Sequence, residues 1–291
     1  MNYKEVYEYG VHKLSEAGID EAALDARLLL EYVCHTNRND LLVHGDREVA
    51  EPERQSYYEI IEKRKQHIPL QHITGEQEFM GLSFEVNEHV LIPRQDTEVL
   101  VEEAMRYLHD GMDILDMCTG SGCILLSLLH YSNDCRGVGA DISAQALEVA
   151  ERNAVRLYKQ KAQYGELGEK DILRSDCCFV QSDMFEAVEG KFDLIVSNPP
   201  YIPSDVIPTL MEEVKAHEPM SALDGKADGL FFYREIAAKA GDYLTGGGRL
   251  FFEIGHDQAE AVSHIMEQNG YKNITVVKDL AGLDRVVHGW R

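Results

Sequence analysis

Phe192-Asp193-Leu194-Ile195-Val196-Ser197-Asn198-Pro199-Pro200-Tyr201 is an apolar run that stops abruptly. Its first six residues read as a buried strand. Two consecutive prolines cannot donate to a sheet ladder, so the strand must end there. An amide, two proline-flanked carbonyls and an aromatic ring are thereby placed at a strand's C-terminal end. In open α/β sheets, ligands bind at that edge. The set suits a planar group bearing an NH2. The Asn198 side-chain oxygen and a proline carbonyl can accept its two hydrogens, while Tyr201 packs on its face. Taken alone, the same letters also describe a strand and a Pro-rich turn, so the flanking sequence has to decide.

From Asp113 onward, strands and helices alternate around this run. Ile114-Leu115-Asp116-Met117 is a strand, followed by a helix from Cys123 to His130. Gly137 to Asp141 is the next strand, followed by a helix from about Ser143 to Leu157. Cys177 to Val180 and Arg249 to Ile254 are further strands, and a helix covers about Asp257 to Gln268. Two final strands lie near Ile274–Lys278 and Arg285–His288. The alternation predicts an α/β, doubly wound, mostly parallel sheet with helices on both faces. The last two strands share only a short turn near Ala281-Gly282, so they are expected to be antiparallel. Residues 158–176 are polar and read as a surface loop or short helical excursion.

Residues 1 to about 70 read as a small helical bundle. Val6, Tyr9, Leu14 and Ala17 form one stripe that ends near Gly18. Asp20 can cap a second helix carrying Ala23, Ala26, Leu29, Leu30 and Val33. Pro52 suits the first turn of a third helix, which ends before Pro69. Phe79 to Val86 reads as a hairpin turning near Gly81. A helix is then expected from about Asp96, as N-cap, to Leu108. The expected division is 1–75 helical, 76–92 hairpin linker and 93–291 sheet domain.

The composition sets limits. A chain of 291 residues with 44% hydrophobic content can bury a sizeable core across two domains. The formal charge of −23 disfavours polyphosphate or membrane-surface binding. The short basic run Lys63-Arg64-Lys65 reads as the solvated end of a helix. None of the six cysteines forms a C-x-x-C pair, and no Cys/His set has zinc-ligand spacing, so no metal is expected. There is no apolar signal core and no run of membrane-spanning length. A cytoplasmic protein with reduced thiols is expected.

Asp116-Met117-Cys118-Thr119-Gly120-Ser121-Gly122 leaves the first strand and opens a helix. Small residues there let a ligand approach backbone N–H groups at a helix N-terminus. A G-x-G-x-x-G fingerprint is absent. Asp141 ends the second strand, where an acid can accept hydrogen bonds from both ribose hydroxyls. Asp183-Met184-Phe185 ends the third and suits an adenine ring. With Asn198 on the fourth, successive strand ends carry parts of one site.

An acid-Gly loop, a ribose acid, an adenine pocket and N-P-P-Y together resemble a class I S-adenosylmethionine methyltransferase. Further stretches resemble the HemK family over almost the whole chain. They are Pro69 to Glu76, Phe79 to Leu82, Leu91-Ile92-Pro93-Arg94-Gln95-Asp96-Thr97-Glu98, Ser197 to Pro203, Glu218-Pro219, Asp228 to Leu230 and Asp279 to Arg285. The resemblance implies a helical substrate-docking bundle, a hairpin linker and a mostly parallel seven-stranded methyltransferase sheet, in that order along the chain. It implies methylation of the glutamine side-chain amide in the Gly-Gly-Gln motif of peptide-chain release factors. Asn198, Pro199 and Tyr201 would be catalytic, with Pro200, Arg94 and Glu98 joining them in binding substrate. The cofactor would contact Asp116, Cys118, Thr119, Gly120, Ser121, Gly122, Asp141, Ile142, Asp183, Met184 and Asn198. Arg94 and Glu98 are also spaced for a simple i,i+4 pair.

This chain has Cys118 where similar proteins usually carry Gly, which would crowd the cofactor unless φ there is negative. N-P-P-Y is shared with methyltransferases acting on adenine bases, so a base amine is a second candidate substrate, disfavoured by the charge. A non-catalytic binding module with a weakened cofactor site is a third reading. A monomer that does not bind nucleic acid is expected.

Overall fold

The computed structural model describes residues 1–163 and 176–291. The chain divides into two compact units. One is Met1–Glu76 with Met211–His217, and the other is Gln77–Leu210 with Glu218–Arg291.

The first unit is helical: α1 (Tyr3–Glu16), α2 (Ala22–Cys34), α3 (Arg38–Val43), α4 (Glu51–Arg64) and α5 (Leu70–Thr74). Asn2 and Glu5 close a capping box on α1, which satisfies two otherwise orphaned N–H groups. Pro52 lies in the first turn of α4. Asp20 does not cap α2; Glu21 holds that position without a side-chain bond. The short helices α3 and α5 add to the three expected. Leu14, Leu29, Leu30, Tyr57 and Ile61 are fully buried between the helices, and the Tyr57 hydroxyl donates to the Ala26 carbonyl at 3.0 Å. Arg64 is buried, against expectation, and donates to Asp25 at 2.7 Å and to Glu213. Successive helical residues point about 100° apart, so one cation of Lys63-Arg64-Lys65 can face inward while its neighbours meet water.

The second unit opens with a hairpin, β1 (Glu76–Phe79) and β2 (Leu82–Glu85). Met80 and Gly81 both have positive φ, the two-residue turn that matches strand twist. Phe79, Leu82 and Phe84 sink into this unit's core, so the hairpin is packed onto the sheet unit. A 3-10 turn (Gln95–Thr97) then leads into α6 (Glu98–Met105), a shorter helix than the spacing suggested. Asp96 lies within the turn and pairs with Arg285 at 3.1 Å instead of capping α6.

The sheet follows: β3 (Asp113–Met117), α7 (Cys123–His130), β4 (Arg136–Asp141), α8 (Ala144–Gln163), β5 (Cys177–Gln181) and β6 (Phe192–Ser197). Then come α9 (Glu212–His217), α10 (Met220–Leu223), α11 (Phe231–Ala240), β7 (Leu244–Glu253), α12 (Ala259–Gln268), β8 (Lys272–Lys278) and β9 (Asp284–Trp290), with a short 3-10 turn at Ile207–Thr209 before α9. Helix α8 runs beyond Leu157, and the rest of the loop expected over 158–176 falls on residues 164–175, outside the described ones.

The strand order is β5-β4-β3-β6-β7-β9-β8. The first five are parallel, and β9 runs antiparallel to both β7 and β8. Side chains alternate between two cores. Leu115, Ile195, Leu250 and Phe252 face α11 and α12, while Ile114, Leu194, Val196 and Phe251 face α6 and α7. Burial on both faces turns these strands into nearly continuous apolar runs. Strand order reverses between β3 and β6, so the two loops leaving their C-terminal ends diverge and open a crevice.

Candidate active site

A cavity of about 230 Å³ occupies that crevice. Four strand ends supply its floor and one wall: Cys118, Thr119, Gly120 and Ser121 after β3, Asp141, Ile142 and Ser143 at β4, Ser182, Asp183 and Met184 after β5, and Asn198 and Pro200 after β6. The segment His89 to Thr97 and residues around Pro219 to Lys226 supply most of the rest, with Cys123 and Ile124 from α7, Ala146 from α8 and Phe232 from α11.

The loop after β3 owes its shape to hydrogen bonds. Cys118, Gly120 and Gly122 all adopt positive φ. Asp116 is fully buried beneath the loop and lies outside the cavity wall. Its Oδ2 accepts from the Thr119 hydroxyl at 2.6 Å and from the Leu125 N–H at 3.3 Å. Burial pushes this carboxyl up to about 7. A folded-state pKa above the unfolded value means the folded chain binds the extra proton, so the stabilisation exists at low pH and is lost as pH rises through about 7. Wild type should therefore lose about 2–3 kcal/mol relative to Asp116→Asn between about pH 5 and pH 8. Urea unfolding of both proteins across that range measures the difference.

Asp141 accepts from the N–H groups of Gly120 and Ser143, each at 2.9 Å. Burial raises its pKa, and these N–H groups oppose the rise. The carboxylate thus joins the β3 loop to the end of β4 while remaining in the cavity wall. Met184 and the half-exposed Ile142 give an apolar side next to Asp183. At Cys118 φ is +64°, so the sulfur is not accommodated by a negative φ. It lines the cavity and packs on the core, and burial raises the thiol's pKa so that it stays protonated. The donor set fits S-adenosylmethionine: a backbone loop at a helix start, an acid at the second strand end, and an acid beside apolar side chains at the third.

Ser197 closes the floor by donating to the Met117 carbonyl at 2.6 Å. Asn198 Nδ2 lies 3.4 Å from the Thr97 hydroxyl. Pro199 is buried and outside the cavity wall; among the described residues no group donates to its carbonyl. Tyr201 also lies outside the wall. Its ring packs on the core, burial pushes its phenol up to about 12, and its carbonyl accepts from Gln258 at 3.0 Å. Gly229, with φ +70°, passes so close that an added Cβ would sit 2.2 Å from the Tyr201 oxygen. Gly229→Ala combines strain with this collision and should cost about 1–3 kcal/mol, read as a lowered melting temperature.

Arg94 lines the cavity but does not pair with Glu98. It reaches Glu218 at 2.6 Å, while Glu98 accepts from the Met80 N–H at 2.7 Å. Gly122, at the start of α7, is likewise not in the wall. Sequence reasoning missed Phe232 and the 220–226 segment as site components; Thr97 and Pro219 enter it only within the stretches that carry the resemblance. Among the described residues no cluster of His, Cys, Asp or Glu could hold a metal ion.

A family model described as the PrmC N-terminal domain matches residues 5–75, and one described as the methyltransferase small domain matches residues 95–214. The chain is 41% identical over 268 residues to the release factor glutamine methyltransferase of Clostridium acetobutylicum, covering 90% of this chain and 89% of that one. It is 40% identical over 284 residues to the Clostridium botulinum protein of the same name, covering 96% and 95%. The crystal structure of a methyltransferase from Pyrococcus furiosus shares the fold, with a TM-score of 0.50 at 16% identity over 73% of this chain and 90% of that one.

Proposed function

The chain belongs to the release factor glutamine methyltransferase family, and on that premise we propose how its residues perform that reaction. It transfers a methyl group from S-adenosylmethionine to the side-chain amide nitrogen of the glutamine in the Gly-Gly-Gln motif of peptide-chain release factors. The observation that carries the reading is Asn198, set at the switch point of the sheet in the same cavity wall as Asp141 and Asp183.

When bound, S-adenosylmethionine supplies a methyl carbon already activated by a sulfonium. Asp141 would accept hydrogen bonds from its ribose hydroxyls; Asp183, Met184 and Ile142 would hold the adenine end, and the backbone of the Cys118 to Ser121 loop would hold the remainder. Asn198 Oδ1 and the Pro199 carbonyl accept the two hydrogens of the substrate amide. An amide nitrogen is a poor nucleophile because its lone pair is delocalised. Two acceptors on its hydrogens raise its electron density and fix its direction of approach. The amide nitrogen is cationic once methylated and so acidic that it releases one hydrogen to solvent without a dedicated base, which agrees with the raised pKa of Tyr201. Asp116 and Tyr201 act from outside the wall by holding the loops that carry the contacts. Arg94 belongs to the segment that borders the substrate side, with Glu98 anchoring it, and residues 1–75 dock the protein substrate.

A cytoplasmic monomer that does not bind nucleic acid completes the proposal, and the formal charge of −23 supports the last of these. No helix among the described residues is long and apolar enough to cross a membrane. The test is incubation with methyl-labelled S-adenosylmethionine and purified release factor, followed by peptide mapping. Label should appear on the Gly-Gly-Gln glutamine. Equal labelling of a Gln→Ala release factor would overturn the assignment.

A further inference from the structure

Glu253 ends β7 and is 2% exposed. Ser197 pairs with Phe252 across β6 and β7, so Asn198 and Glu253 are the next residues along two adjacent strands at one sheet edge. The carboxylate is met by the side chains of Thr97 and Asn198 and by the charge of Arg285. Its Oε2 has no hydrogen-bond partner among the described residues. A buried acid with an open acceptor site is costly, and its neighbours along the chain, Leu250, Phe251, Phe252 and Ile254, are all apolar and fully buried.

A carboxamide presents an acceptor on one side and two donors on the other, and a half-turn exchanges them. The role given to Asn198 requires the oxygen toward the cavity. An ionised carboxylate only accepts, so it attracts the NH2 and repels the oxygen. The Thr97 hydroxyl, 3.4 Å from Nδ2, lies on the same side. We propose that Glu253 is a positioning residue, locking the Asn198 carboxamide with its NH2 turned inward and Oδ1 presented to the substrate amide. This rests on the reading of Asn198 as the substrate-amide acceptor.

The lock is sensitive to protonation. Burial pushes the Glu253 carboxyl up to about 7. Gaining a proton converts one of its oxygens to a donor, which Asn198 Oδ1 can satisfy, and the flipped amide becomes accessible. The charged and titratable groups facing Glu253 are Arg285 on β9, Asp96 in the turn before α6, Tyr201, Tyr233 on α11 and Cys123 on α7. Arg285 is itself fixed by Asp279 at 2.9 Å and by Asp96 at 3.1 Å.

The experiment compares wild type, Glu253→Gln, Asn198→Ala and the double variant, with folding checked by melting temperature. Glu253→Gln is nearly isosteric, but its own amide can turn to donate. It should slow methyl transfer at saturating cofactor about tenfold, with cofactor Kd unchanged. In the Asn198→Ala background the same substitution should cost nothing further, because no carboxamide remains to orient. An equal loss in both backgrounds would make Glu253 merely structural and overturn the proposal. A second readout needs no release factor: the side-chain NH2 resonances of Asn198 in 15N-Asn-labelled protein. They should titrate near neutral pH in wild type and not in Glu253→Gln. If they do so while release factor stays unmethylated, the lock stands and the substrate assignment fails. If release factor is methylated but these resonances ignore both pH and the substitution, the lock fails alone.

Discussion

Asn198→Ala is expected to lower methyl transfer to release factor by about 100–1,000-fold, the usual loss when one preorganised polar group at a reacting centre is removed. The Asn198 side chain meets Thr97 and Glu253 beneath it, and among the described residues no other side-chain amide lines the cavity to replace its oxygen. The cofactor should still bind, because the groups assigned to it sit on β3, β4 and β5 as well. The signature is a lower kcat with cofactor Kd little changed, separable by isothermal titration and single-turnover kinetics. Asp141→Ala should show the reverse order, weakening cofactor binding first. Equal loss of binding and rate in Asn198→Ala would mean that its main part is to hold the cofactor.

The second large effect belongs to the helical unit. Arg64→Ala should destabilise it by about 3–5 kcal/mol, since removing one member of a buried ion pair strands the other. Asp25 is 7% exposed, and burial already raises its pKa, with Arg64 working against the rise. Arg64 also donates to the Ile68 carbonyl at 3.2 Å, which fixes the chain leaving α4. The paired substitution Asp25→Leu with Arg64→Met should recover much of the loss, because apolar replacements remove the unpaired charge. Urea unfolding of the three proteins decides; a loss under about 1 kcal/mol for Arg64→Ala, the range of exposed pairs, would mean that the pair is solvated.

The sheet was legible because its strands carry unmistakable punctuation. Asn198-Pro199-Pro200 stops β6, and glycines close the loop after β3, so the strand ends could be read without coordinates. Direction was less legible than position. Asp116 and Asp141 are both acids at strand ends, yet one points under its loop and the other into the cavity. Spacing does not distinguish them, because the deciding partners, the Thr119 hydroxyl and the Leu125 N–H, exist only after the turn has formed. The direction of the Tyr201 ring was hidden for a similar reason: it packs on the core while Gln258 and Gly229 lie against its carbonyl, and none of these contacts is visible in the spacing. Glu253 left one faint signal, an acid in the apolar run from Leu250 to Ile254, and nothing linked it to Asn198 before β6 and β7 were paired. Arg64 was hidden by its neighbours, which share its charge and not its direction.

The membership of Met211–His217 in the helical unit has a practical consequence for dissection. The backbone leaves that unit after Glu76, builds most of the sheet, and returns for seven residues before completing β7 to β9. A single proteolytic nick or stop codon near residue 76 therefore yields no faithful half. The amino-terminal fragment loses one of the two carboxylates paired with Arg64, that of Glu213, and the carboxy-terminal fragment carries an orphaned helix. Grafting this bundle onto another scaffold would require transplanting two discontinuous pieces of sequence.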